Sequence, residues 1–290
     1  MTNKQKGIIF LIFSVFSFDL MNVFVRLSGD LPSIQKAFFR NFVAGIVILL
    51  FIFRDKKNKP RLEKRHVPLL VLRSLVGSLA MIANYYAVDH LILSDAVVLQ
   101  KIGPFCTIIF SAFILKEKPK FAQVGFVFIA FIGAALVANP ALNGGLISDY
   151  LIAIGGGAGA GLAYTLVRKI SNDGCNKNVM IAFFSIFSCL FCLPFTLVSY
   201  HPMDSMQWIY LLLAGFAACG GQIGVTYAYG YAAARDISVF EYFAVLFAAL
   251  FSFFLFKEVP TFYAMIGYLL VIIAGVSVFN YNRRVEKALK

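Results

Sequence analysis

The residues able to do chemistry here are charges set deep in apolar sequence. Lys101 stands in the run LQKIGPF, inside a stretch from about 91 to 115 that is otherwise almost free of charge. It is the eleventh residue of that stretch, so a helix rising 1.5 Å per residue would carry it ~15 Å in, near a bilayer midplane. A charge at that depth costs roughly 3 kcal/mol on insertion scales and is too far in to snorkel easily. Lys101 therefore offers a cationic anchor for a carboxylate or phosphate, or else an internal ion pair with Asp19 or Glu241. Asp19 is also mid-run, and Asp19, Asn22 and Arg26 fall at i, i+3 and i+7 on one helical face. That carboxylate can take a substrate ammonium, carry a coupling proton, or serve as a structural partner for Arg40 or Lys101. The guanidinium fork of Arg40 suits a carboxylate, or anchors the outer end of its helix. Arg73, about six residues from the end of its run, is expected to snorkel to the interface.

Weaker polar candidates accompany these charges. Glu241, followed by Tyr242, lies some residues inside its run and offers gating, proton coupling or a structural hydrogen bond. Gln100 precedes Lys101; Asn84 and Tyr85 share one run, and Gln222, Tyr227 and Tyr229 share another. Such groups can orient a solute, although hydrogen bonds between helices are their commoner use. Catalysis has no constellation to stand on. His66, His90 and His201 map to loops or run ends, and neither HExxH nor GxSxG occurs. Cys189-Leu-Phe-Cys192 has CxxC spacing but no His or acidic neighbours, which makes it helix filler rather than a metal or redox site. The stretch Gly155 to Gly161 lacks the Gly-Lys-Ser/Thr ending of a phosphate loop. Its small residues four apart, Gly155/Gly159 and Gly157/Gly161, point to close helix packing. No catalytic residue, metal site or cofactor is expected.

Ten apolar runs must position these groups. Of the 290 residues 60% are hydrophobic and only 14% charged, where a soluble domain would carry about a quarter. The runs, at about 7–27, 34–53, 67–88, 91–115, 121–138, 149–167, 178–199, 206–230, 235–256 and 261–280, have the length of membrane spans. The first resembles a signal peptide in having lysines before an apolar run. It is long, holds Asp19 and lacks a cleavage-type ending, so it reads as a span. The net charge of +12 sits in connections, where it orients spans rather than binding nucleic acid. Placing the basic stretch Arg54 to His66 in the cytoplasm puts both termini there too.

The chain also repeats itself. Sliding by 141 positions lays Lys116-Glu117 and Pro119 on Lys257-Glu258 and Pro260, Asp95 on Asp236 and Gln100 on Glu241. Spans one to five, at 7–138, thus recur as spans six to ten, at 149–280. Five is odd, so the second copy must enter the bilayer upside down. Inverted repeats of this kind typify secondary transporters, with the substrate site near the midplane where the halves meet.

The Lys-Glu-x-Pro endings of spans four and nine, the proline after Lys101-Ile102-Gly103, and Ala37-Phe38-Phe39-Arg40 carry a family resemblance. The chain resembles an EamA-type member of the drug/metabolite transporter superfamily, although Lys116 and Lys257 stand where that family often has glycine. The resemblance implies an all-α polytopic membrane protein of ten spans as two inverted EamA repeats. Its partners would be a small-molecule solute, membrane lipid, and a coupling proton or counter-solute, with a monomer or weak dimer in the cytoplasmic membrane. Lys101 and Arg40 ask for an anionic group and Asp19 and Glu241 for a cationic one, so the expected solute is an amino acid or amino-acid derivative. The second span, similar to that of S-adenosylmethionine carriers, makes that compound a named candidate. The competing readings are efflux of cationic or aromatic drug-like compounds and a channel-like or structural membrane protein.

Overall fold

The computed structural model describes residues 1–54, 62–91, 99–138, 146–256 and 261–288, and all regular structure among them is helical. In chain order the elements are α1 (Asn3–Leu27), α2 (Ser33–Arg54), α3 (Val67–His90), α4 (Gly103–Ile114), α5 (Phe121–Ala138), α6 (Ile147–Asn172), α7 (Lys177–Val198) and α8 (Ser205–Tyr231). A short α9 (Ala234–Ile237) and a tighter 3-10 stretch (Ser238–Phe243) lead into α10 (Ala244–Phe256), and α11 (Phe262–Ala288) closes the chain. The second Lys-Glu-x-Pro stretch, Asp95 and most of the basic connection after Arg54 lie outside the described residues.

Local chemistry sets several helix ends. Thr2 caps α1 in a reciprocal arrangement: its hydroxyl accepts from the Gln5 amide at 3.3 Å, and its own amide donates to Gln5 Oε1 at 2.9 Å. Asp204 and Gln207 repeat the device at the start of α8, at 2.7 and 3.0 Å. After α4 the chain turns at Lys116 with φ 57°. That is the left-handed region, which costs an L residue about 1–2 kcal/mol and glycine nothing. The resemblance places a glycine at this position, and the backbone geometry is the reason.

Among the described residues, eight helical segments are long and apolar enough to cross a membrane, and two shorter apolar helices, Gly103–Ile114 and Phe121–Val137, accompany them. The outer faces are apolar: Phe113 is 80% exposed and Phe121 94%. Gln35, Arg40, Asn41, Arg73, Thr107, Gln222 and Asp236 are buried inside. This inside-out distribution suits a lipid surround, where polar groups must find partners within the bundle.

Helix partners follow the repeat. α1 lies along α8 as α6 lies along α3; α4 lies against α6 as α10 lies against α1. α2 packs on α7 and α5 on α11. Matching α1–α5 with α6, α7, α8, α10 and α11 in turn maps these contacts onto themselves.

One expectation fails instructively. The run from 91 to 115 is not one continuous helix through Lys101. Residues 99 and 100 are helical, Lys101 and Ile102 form a turn, and α4 begins afresh at Gly103. Pro104 stands in the first turn of α4, where its missing N–H has no partner to lose. Pro104 thus marks a helix start. The other copy breaks in register. α10 begins at Ala244, 141 positions after Gly103, although no proline is present there.

Candidate functional site

Residues of both breaks line one cavity of about 250 Å³ within the bundle. α1 contributes Asp19 and Asn22, α2 contributes Arg40, and α3 contributes Arg73 and Asn84. Gln100 and Lys101 come from the first break, Glu241 from the 3-10 stretch of the second, and Gln222 from α8. The sequence candidates Lys101, Asp19, Arg40, Glu241, Asn22, Asn84, Gln100 and Gln222 thus share one lining.

The two arginines are almost fully buried, Arg40 at 7% exposure and Arg73 at 2%. Arg40 Nη1 reaches the Met81 sulfur at 3.3 Å and the Tyr85 hydroxyl at 3.5 Å, leaving its Nε without a partner. Arg73 lies over the Phe184 ring, 3.7 Å from its centroid, and donates from Nη2 to Gln222 Oε1 at 3.2 Å. Its Nε and Nη1 have no partner. Asp19 Oδ2 and Asn84 Oδ1 are likewise buried and unpartnered. Among the described residues, no ion pair within 4.0 Å joins Lys101, Arg40 or Arg73 to Asp19 or Glu241. The cavity holds opposite charges apart. Burying a charge without a counter-ion costs several kcal/mol, so such a lining is complementary to a charged guest.

Around Glu241 the arrangement is tighter. Tyr229, fully buried on α8, donates its hydroxyl to the Glu241 carboxylate, and Tyr164 of α6 stacks on Tyr229 with centroids 5.3 Å apart. The hydroxyl of Tyr242 donates to the Lys101 carbonyl at 2.7 Å. Tyr242 and Lys101 are equivalent positions of the repeat, so the two breaks are tied to each other.

Some candidates lie elsewhere. Tyr227 faces away: its hydroxyl donates to Asn178 Oδ1 at 3.2 Å, and Lys177 lies over its ring at 5.0 Å. Tyr85 stands behind Arg40 as its hydrogen-bond acceptor. Arg26 is exposed near the end of α1 and is not part of the lining with Asp19 and Asn22. Arg73 does not snorkel but turns into the cavity. The signal was present in the sequence, because Arg73, Gly77, Ala80 and Asn84 follow helical spacing on one face and all line the cavity. Tyr164 was missed as well, and it continues the Gly157, Ala160 face of α6. That glycine stretch serves packing: a Cβ on Gly161 would stand 2.7 Å from the Gly103 carbonyl, and one on Gly157 2.9 Å from that of Leu99. Gly155 takes no part, having nothing within 4 Å.

An apolar-surfaced helical bundle that keeps unpaired charges around an internal cavity has the architecture of a multi-pass membrane transporter. The EamA-like transporter family matches residues 5–139 and again 147–281, and the chain belongs to that family, within the drug/metabolite transporter superfamily. It is 24% identical over 275 residues to the pseudopaline exporter CntI of Pseudomonas aeruginosa, covering 94% of this chain and 95% of that protein. An uncharacterized transporter of Helicobacter pylori strain J99 is 25% identical, covering 93% of both chains. Mouse solute carrier family 35 member G1 is 26% identical over 92% of this chain and 76% of its own length. A solved crystal structure shares the fold with a TM-score of 0.79 at 15% identity, over 97% of this chain and 99% of that one.

Proposed function

We propose that the protein is a secondary transporter that carries an amino acid or amino-acid derivative across the cytoplasmic membrane by alternating access. The observation that carries this reading is the set of unpaired opposite charges on one lining. Lys101 and Arg40 receive the carboxylate, and Asp19, with its free Oδ2, receives the ammonium. A zwitterion satisfies both without asking the protein's charges to collapse on each other. Asn22, Asn84, Gln100 and Gln222 orient the solute through neutral hydrogen bonds.

The spans number ten, in two inverted five-span repeats at 7–138 and 149–280, with both termini cytoplasmic. In support, exchanging the halves preserves the helix partners, and the two helix breaks stand 141 residues apart. Discontinuous helices at the midplane are the usual substrate and ion sites of such carriers. Glu241, held by Tyr229, and Asp19 are the groups to which a coupling proton binds; exchange against a counter-solute would use the same cavity. S-adenosylmethionine, with an ammonium, a carboxylate and an aromatic base, is the named derivative to test first. The stacked Tyr164 and Tyr229 beside Glu241 favour, as the second reading, cationic aromatic compounds.

Uptake of a labelled metabolite panel into proteoliposomes, with wild type and Lys101→Ala, decides between them. Amino acids or their derivatives are transported and Lys101→Ala abolishes that transport. Uptake confined to hydrophobic cations would overturn the substrate class, and unchanged uptake in Lys101→Ala would remove the lysine from the site.

A further inference from the structure

The cavity lining carries three cations, Lys101, Arg40 and Arg73, against two carboxylates, Asp19 and Glu241. Arg40 and Arg73 are nearly sealed from water, and among the described residues neither meets a carboxylate within 4.0 Å. Their hydrogen-bond partners are all neutral: the Met81 sulfur and Tyr85 hydroxyl for Arg40, the Gln222 amide for Arg73. A zwitterion with a single carboxylate brings that lining no net charge, so one guanidinium's positive charge would stay buried and uncompensated, which is the costly arrangement.

We infer that the solute carries two acidic groups and one ammonium, with Arg40 and Arg73 each holding one acidic group and Asp19 holding the ammonium. This rests on the reading that the cavity is the solute site, and it narrows the substrate class from amino acids to amino diacids. Separate acidic groups fit better than one doubly charged phosphate because the two guanidiniums are held by different partners, Arg40 by Met81 and Tyr85 and Arg73 by Gln222 and Phe184. Arg73 is thus a specificity-determining residue, and its free Nε and Nη1 are the donors on offer.

The test is equilibrium binding to the purified full chain of aspartate, glutamate, 2-aminoadipate and 2-aminopimelate, each beside its ω-amide, with O-phosphoserine as a further probe. The diacid of best length binds about tenfold or more tightly than its amide, the difference of one charged hydrogen-bonded group. Arg73→Gln shrinks that preference below about threefold, and Arg73→Lys, which keeps the charge and loses the fork, falls between. The wild-type comparison needs no variant and stands even if Arg73→Gln fails to fold. Equal binding of diacid and amide overturns the inference while leaving the amino-acid reading intact. A preference undiminished in Arg73→Gln also overturns it, as does O-phosphoserine binding more tightly than every diacid. If neither diacids nor amides bind, the inference falls, and the amino-acid reading stands or falls on the uptake panel alone.

Discussion

Two charged regions of this bundle are built on opposite plans. Around the first residues of α1 and the ends of α6 and α8, charges are matched. Arg168 Nη2 meets Glu117 Oε1 at 3.0 Å and Arg168 Nη1 donates to the Tyr229 carbonyl at 3.4 Å. Lys4 stands 3.6 Å from Asp236, which also accepts from Gln123 Nε2 at 3.0 Å. In the cavity the two arginines are buried, yet among the described residues no carboxylate lies within 4.0 Å of either. In an apolar surround a matched pair ties helices together, whereas an unmatched charge is kept only if something else compensates it. The first region is structure. The second is the solute site we propose.

The largest expected effects come from exchanging these roles. Arg168→Ala strands the Glu117 carboxylate and removes a bond to α8. The pair is 16% exposed on both sides, so the loss lies between that of surface and fully buried pairs, about 1–3 kcal/mol of stability. Arg40→Met should do the reverse. It removes a buried charge with only neutral partners and replaces it with an apolar chain of similar length, leaving thermal stability unchanged or raised. Solute binding, however, loses the interaction of a buried charge pair, about 2–5 kcal/mol, or roughly thirtyfold and more. Thermal unfolding and uptake measured on both variants check the crossing. If Arg40→Met destabilises the protein as much as Arg168→Ala, Arg40 is a strut and the contrast fails.

How much of this was readable beforehand follows from what hydropathy and self-similarity can see. Apolar runs and the 141-residue offset are long-range signals, and they carried the helical class and the pairing of halves. The breaks before Gly103 and Ala244 were invisible to hydropathy because one or two polar residues, Gln100-Lys101 and Glu241, do not end an apolar run. Pro104 marked the first, and nothing but the repeat register marked the second. Depth along a run misplaced Arg73, since distance from a helix end does not say which way a side chain faces. The same limit misplaced Tyr227. It lies five residues from Gln222, about 140° around the helix at 3.6 residues per turn, so one turns into the cavity and the other toward Asn178.

A second way to sharpen the contrast is through the seam that holds the break in place. Gly161→Ala drives a Cβ to 2.7 Å from the Gly103 carbonyl and 2.8 Å from the Thr107 amide and Cys106 Cβ. These are mostly backbone atoms that cannot rotate away, and overpacking of this kind costs about 1–3 kcal/mol. Because α4 begins at that contact, the strain also shifts Lys101, and uptake falls more than stability alone explains. Gly155→Ala, six residues earlier on the same helix with nothing within 4 Å, gains the helix propensity of alanine and stabilises by about 0.5–1 kcal/mol. Equal thermal midpoints for the two variants would mean that the seam does not set the position of the break.

The smallest effect probes the bond that joins Lys101 to its equivalent position in the other repeat. The Tyr242 hydroxyl donates to the Lys101 carbonyl at 2.7 Å, and Tyr242 itself is fully buried. Lys101 stands in a turn, so its carbonyl lies outside any regular helical ladder and depends on this donor. Tyr242→Phe keeps the ring in the core and removes only the hydroxyl, for about 0.5–1.5 kcal/mol. If that bond merely stabilises the fold, the loss appears in the thermal midpoint and solute affinity is untouched. If it holds the first break against the second, affinity falls severalfold while the midpoint moves by only a few degrees, because what is lost is the register of Lys101 against Asp19 and Glu241. Transport is then the more sensitive readout. A variant that binds solute like wild type would show that the two halves need no direct tie at the breaks, and that Lys101 is held by α4 and α6 alone.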